Sequence, residues 1–380
     1  MTESVISYAG AKEAAQAWLR SPAWDCFWII GPAFVTSILA LLFKNQIESM
    51  RTLPLWAWVC FVLLVDVAHV YATLFRSYLD KNILEKNSTL LFAIPAACWG
   101  VGALLFSVDA LLFWRVLAYL AVFHFIRQQY GFLALYSRKE AESARRFRRL
   151  DEVLIYLVTL YPLLFWHTNL PRNFNWFVEG DFIESIPSVA ADVCLGLYLL
   201  TAAAYIVKEA WVFKSSGYFN QSKNLLILGT ALSWWVAIVP INSDFSFTMI
   251  NVISHGVPYM ALVWLYHHAP LEAALKTSSR EASSQAWQTG VKFILAFAPA
   301  FIFFLAILAY LEEGLWDALI WREHTALFRP FSFLPAINDH SVLALLIPLL
   351  SLPQSSHYVL DGFIWRLKDR GSLWSVAKAD

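Results

Sequence analysis

Long apolar runs alternate with short polar connections along nearly the whole chain. A helix crossing hydrocarbon needs about 20 mostly apolar residues. Ten stretches meet that need, at roughly 26–43, 54–75, 89–107, 111–136, 151–167, 188–213, 224–241, 246–268, 291–311 and 341–365. The third and fourth are separated only by a tight turn at Ser107-Val108-Asp109. This pattern predicts an all-α, polytopic transmembrane helix bundle. A single membrane domain covers 26–366, between an N-terminal segment (1–25) and a C-terminal tail (367–380). Residues 11–20 form a candidate short surface helix, and no internal repeat stands out.

Composition agrees with this reading. Apolar residues make up 59% of the 380, above the roughly half expected of a soluble domain. Net charge is zero, which argues against a nucleic-acid partner held through phosphate contacts. Cys26, Cys60, Cys98 and Cys194 lie far apart in apolar stretches, so neither a disulfide framework nor a zinc knuckle is expected. The opening MTESVISYAGAKEAAQAWLR lacks the basic-then-apolar order of a cleaved signal peptide.

The lysines and arginines orient the bundle. With the N-terminus cytoplasmic, the inside segments hold 21 of them and the outside connections 5. RKEAESARRFRRLDE (138–152) dominates that bias and reads as a solvated, topology-setting loop. Ten spans then place both termini in the cytoplasm.

Orientation gives the histidines a pattern. His167, His324 and His340 fall in or beside outside connections and read as exposed loop residues. The other six are His69, His124, His255, His267, His268 and His357, and all lie on the even-numbered spans 2, 4, 8 and 10. His267 and His268 end span 8, where interfacial histidines need no special cause. Counting from the inner ends at 1.5 Å per residue puts His69, His124, His255 and His357 about 10 to 21 Å deep. Four histidines from four helices thus share the inner half of the bilayer.

Each also has an oxygen-bearing neighbour at helical spacing: Asp66 with His69, Gln128 with His124, Asn251 with His255, and Asp361 with His357. Such neighbours serve as further ligands or as partners that fix the imidazole tautomer. The alternative for any one intramembrane histidine is an interhelical hydrogen bond. Four at one depth favour a common metal site built by His69, His124, His255 and His357, with Asp66 and Asp361 as catalytic or ligating carboxylates. Imidazole and carboxylate without thiolate suit iron, as one or two ions, ahead of manganese or zinc. Gln128 and Asn251 are candidate supporting residues. Arg127 and Tyr130, beside His124 in HFIRQQYG, read as buried polar residues that anchor the helix or hold a substrate headgroup.

Three short motifs, His124-Phe125, His255-Gly256 and HYVLDGFIWR (357–366), are similar to motifs of the bacterial integral-membrane dioxygenases that cleave β-carotene to retinal. That resemblance implies a multi-helical fold, histidine-held iron and a place in a bacterial inner membrane. The chain departs from the family pattern in three places. Ile126 stands where a glycine follows the HF pair, the HG pair falls on a late helix, and four residues rather than five separate His357 from Asp361. The resemblance therefore points to the metal-oxygenase class more than to a carotenoid substrate.

Three functions compete. The first is a membrane-embedded non-haem iron oxygenase acting on a lipophilic substrate, lipid or carotenoid, that enters from the bilayer, with an electron donor as a further partner. Double-bond cleavage and hydroxylation are its main reactions, since the clustered HxxxH and HxxHH boxes of desaturases are absent. The second is a proton- or metal-coupled transporter using the same His/Asp cluster. The third is a haem-binding electron carrier with paired histidine ligands.

Overall fold

The computed structural model describes residues 16–50, 52–140, 142–277 and 297–365. Among these residues the fold is entirely helical. Eight helices are long and apolar enough to cross a membrane: α1 (Pro22–Leu42), α2 (Leu55–Arg76), α3 (Lys81–Val108), α4 (Ala110–Tyr136), α5 (Arg148–Thr168), α6 (Ser188–Ser216), α8, whose apolar part is Asp244–His267, and α9 (Ala298–Trp321). A bent pair, α10 (His340–Leu350) and α11 (Leu352–Ile364), is counted as a ninth. Between α6 and α8 lies α7 (Gln221–Ile238), on the stretch expected over 224–241. Its first turn is polar, and its Ser222 and Lys223 are buried inside the bundle.

Local sequence sets the breaks. Asp109 ends α3 and caps α4, its carboxylate accepting from Leu112 N at 3.0 Å. Asn220 caps α7 through Lys223 N at 3.1 Å. α6 ends at Gly217, whose φ of +69° falls in the left-handed region that a residue without Cβ adopts at little cost. The expected single helix over 341–365 is instead two helices meeting at Ser351 with a 45° bend. Pro353, in the first turn of α11, has no N–H to continue the ladder of α10. α2 holds a second irregularity: Trp58–Val67 is wound as a π-helix.

Exposed apolar side chains follow the membrane reading. Leu200 and Val207 of α6 and Phe303 of α9 are each about two-thirds exposed (67 to 70%). A surface this apolar is stable against lipid and unfavourable in water. The four cysteines are free thiols.

Several loop expectations are corrected. Residues 16–20 are not helical; they lie across the end of the bundle, where the Arg138 guanidinium donates to Ala17 O and Trp18 O at 2.9 and 2.7 Å. Residues 1–15 lie outside the described residues, as does the tail from 366. The 138–152 run is not simply a solvated loop. Its Glu140 and Asp151 are buried, and with Glu209 they surround Lys208 and Lys223. Lys223 Nζ lies 2.7 Å from Glu140 and from Glu209, and 3.3 Å from Asp151. Lys208 and Lys223 are therefore interhelical ion partners tying α5, α6 and α7 together. Buried charges persist when paired in this way.

Candidate metal centre

His69 of α2, His124 of α4, His255 of α8 and His357 of α11 converge. One nitrogen from each lies within 4.8 Å of the others. All four side chains are buried, at 4% exposure or less. Ring centroids are 4.8 Å apart for His69 and His255, 5.1 Å for His69 and His357, 5.0 Å for His124 and His255, and 4.4 Å for His124 and His357. The Nε2 atom of every one of these rings is buried without a hydrogen-bond partner. A buried polar atom left unpaired costs roughly 1–3 kcal/mol. Four of them around one point are an arrangement that a cation resolves.

Close helix approach builds the cluster. At Gly256 a Cβ would stand 2.7 Å from Val65 Cγ1 and 3.4 Å from His69 Nδ1. Glycine at that position lets α8 press against α2 and seats His255 beside His69. The Phe125 ring stacks on His255 at 3.6 Å and 8°. On α11, the bend at Ser351 aims the helix carrying His357 and Asp361 into the bundle.

The Nδ1 atoms of two rings are held. His69 Nδ1 lies 3.2 Å from Val65 O, so it carries the proton and donates. His357 Nδ1 lies 2.6 Å from Thr73 Oγ1, which is 2.9 Å from the Tyr259 hydroxyl. Tyr259 donates to Asp361 Oδ1 at 2.7 Å. With the tyrosine proton on Asp361, Thr73 donates to Tyr259 and His357 Nδ1–H donates to Thr73. With Nδ1 the donor in each ring, Nε2 of His69 and of His357 carries the lone pair that a metal ligand needs, and both Nε2 atoms are buried without a partner.

The carboxylates and amides divide. Asp361 reaches the cluster, with Oδ2 3.8 Å from His124 Nε2 and Oδ1 3.7 Å from His357 Nδ1. Asp66 stands at 3.9 Å from His69 Nδ1 but is partly exposed and lines a cavity on the other side of the cluster. Gln128 does not hydrogen-bond its neighbour His124; it donates to the backbone carbonyl of His255 at 3.0 Å. Asn251 donates to Phe247 O at 3.0 Å and not to His255. Both amides support helix α8 instead of an imidazole. Arg127 is exposed rather than buried, donates to the Tyr156 hydroxyl at 2.7 Å and lies over the half-buried Tyr130 ring at 4.6 Å.

Among the remaining histidines, His167 corrects the loop expectation. It is buried, 2.8 Å from the Tyr119 hydroxyl and 2.7 Å from Leu163 O. The cause is the 169–187 connection, which folds back and lays Phe182 on the imidazole at 4.9 Å. His324 is half-buried against Trp58, His340 is exposed, and the His268 side chain lies outside the described residues.

Two cavities flank the cluster, and Tyr358 lines both. One, of about 560 Å³, is mostly apolar and reaches His124 and Asp361. The other, of about 680 Å³, is lined by Asp66, Glu179, Asp244, Glu313, Asp317 and Glu323. No lysine or arginine stands among the described residues around it.

Thr73 and Tyr259 were not singled out by the sequence pattern, and Phe125 entered only as the second residue of the His124-Phe125 pair. The signal was present: Thr73 follows His69 by four residues and Tyr259 follows His255 by four, each on its histidine's own face. Comparison with protein-family models, curated proteins and solved structures finds no match to this chain.

Proposed function

We infer that the protein is a membrane-embedded, non-haem iron oxygenase acting on a lipophilic substrate. The observation that carries this reading is the set of four convergent, buried, unpartnered imidazole nitrogens at the end of an apolar cavity. Nitrogens about 2.1 Å from a tetrahedral ion stand about 3.4 Å apart. The widest separation here, 4.8 Å, is larger, so the rings would draw inward around a single ion. A porphyrin does not fit among four rings so close together, which sets the haem carrier aside. All-nitrogen ligation with a nearby carboxylate suits iron, with manganese or zinc as lesser fits.

In this reading His69, His124, His255 and His357 hold the ion, which supplies dioxygen binding and activation. Asp361 stands beside His124 and His357 to accept or return a proton. Thr73 and Tyr259 fix the His357 ring. The apolar cavity admits substrate sideways from the lipid and keeps water from the centre. With α7 taken as a tenth crossing, both termini are cytoplasmic, and the site lies in the inner half of a bacterial inner membrane. The basic connections support that orientation, with Lys208 and Lys223 left out of the bias because both are buried in ion pairs.

A second reading, a proton- or metal-coupled transporter, draws on the acidic cavity across the cluster from the apolar one. Elemental analysis with an optical spectrum on detergent-purified protein separates the two. Near-stoichiometric iron without a haem band, followed by oxygen consumption with lipids or carotenoids, is the expected result. Protein that binds no iron even after reconstitution refutes the oxygenase and leaves the transporter.

A further inference from the structure

The apolar cavity has a charged end. Arg76, Arg127 and Arg148 line it, and the single carboxylate among its described lining residues is Asp361, beside the histidines. Arg148 is already paired, 3.2 Å from Glu152, and Arg127 bonds Tyr156. Arg76 differs from both. It is only 4% exposed, yet its Nε and Nη1 atoms make no hydrogen bond. Nη2 donates to Ile364 O at 3.0 Å, and Asp80 stands 3.9 Å from Nη1. The guanidinium lies 3.6 Å from the Tyr266 ring centroid and 4.8 Å from that of Trp365. Removed from water and held against two rings, it is a preorganised anion receptor with donors to spare.

Arg76 follows His69 by seven residues on α2, about 10 Å along the helix axis. Between the arginine and the histidines the wall is apolar, with Phe132, Leu135 and Leu262. Phe123, 58% exposed on the outer face of α4, stands where the cavity meets lipid. With Arg76 about 10 Å along α2 from His69, an anionic headgroup held at the guanidinium leaves its chain to run along this apolar wall toward the histidines.

We propose that this cavity binds a single-chain amphiphile by its anionic headgroup, held at Arg76, with the hydrocarbon chain running to His124 and Asp361. The bound class is a long-chain carboxylate or phosphate monoester rather than a neutral hydrocarbon. The proposal deepens the oxygenase reading by placing a mid-chain carbon at the centre, but the binding itself rests only on the cavity and Arg76.

Equilibrium binding of tritiated oleate to the full chain in lipid nanodiscs tests it, with empty nanodiscs subtracted and unlabelled oleyl phosphate and oleyl alcohol as competitors. A charge-assisted hydrogen bond predicts that oleate or oleyl phosphate binds about tenfold or more tighter than the alcohol. Whichever anion binds tighter identifies the headgroup. Arg76→Gln brings the anions to the alcohol's affinity and leaves the alcohol unchanged, while Arg76→Lys retains part of the preference. Equal affinity of acid, phosphate and alcohol in the wild-type chain overturns the proposal without any variant, and so does a preference that survives Arg76→Gln. The same preference is expected in chelator-treated protein. A chain without iron or oxygenase activity that still selects the anion would therefore refute the function and keep this inference.

Discussion

Thr73→Val tests the site more sharply than deleting a ligand. The change keeps the shape of the side chain and removes only its hydroxyl. In the structure that hydroxyl lies 2.6 Å from His357 Nδ1 and 2.9 Å from the Tyr259 hydroxyl. Tyr259 keeps its bond to Asp361. His357 Nδ1 is left in a buried site with Asp361 no nearer than 3.7 Å. Two consequences follow. An orphaned buried group costs about 1–3 kcal/mol of stability. Loss of the partner that fixes a ligating imidazole lowers metal affinity by about 10- to 100-fold. The assay is competitive iron(II) titration of chelated protein against a chromophoric chelator, run beside His340→Ala as an exposed control. Unchanged iron affinity in a folded Thr73→Val protein would refute the view that the Asp361–Tyr259–Thr73 chain orients His357 toward a metal.

Other outcomes follow from the same geometry. His69→Ala and His357→Ala are each expected to lose most bound metal by elemental analysis while His340→Ala retains it; equal metal in all three would remove the site assignment. Gly256→Ala drives a methyl to 2.7 Å from Val65 Cγ1, an overpacking cost of about 1–3 kcal/mol that should lower melting temperature and metal content, and Val65→Ala in the same chain should restore part of each, since the Val65 carbonyl at 3.2 Å stays. Asp151→Ala leaves buried Lys208 and Lys223 short of a partner and should destabilise by about 3–5 kcal/mol with no change in metal per folded molecule. Removing metal with a chelator should lower the melting temperature of the wild-type chain, and re-addition should restore it, as mass action requires for an ion bound only by the folded state.

Much of the fold was legible because lipid imposes a simple rule on sequence: about 20 apolar residues for each crossing. Ser188–Ser216 and Ala110–Tyr136 begin within a residue of the expected spans and run to or beyond their ends. The rule is blind to direction changes inside an apolar run, so the bend at Ser351 stayed hidden even with Pro353 in view. It is equally blind to polar residues that pair across helices. Lys208 and Lys223 pair with Asp151 and Glu140, which are distant in sequence, so no local spacing marks them as partners. The four histidines were legible because depth along a helix is a matter of counting. Their supports were less so. Gln128 and Asn251 had the right spacing, but an amide with no imidazole in reach settles on a backbone carbonyl. His167 was misread because the chain after it doubles back over the helix end.

The π-helical stretch of α2, Trp58–Val67, ends two residues before His69. A π-helix closes its hydrogen bonds five residues along instead of four, so each turn absorbs extra chain. The azimuth of everything after it is thereby set by how many residues the stretch holds. Deleting one residue there, such as the lipid-exposed Cys60, changes the residue count and, if the remainder rewinds as α-helix, the turn that each residue contributes, so the phase of Ala68–Ala72 changes. His69 would then swing out of the cluster with every side chain intact. Winding, as much as side-chain identity, is what aims this imidazole, so a length change in α2 is the most economical way to disarm the centre.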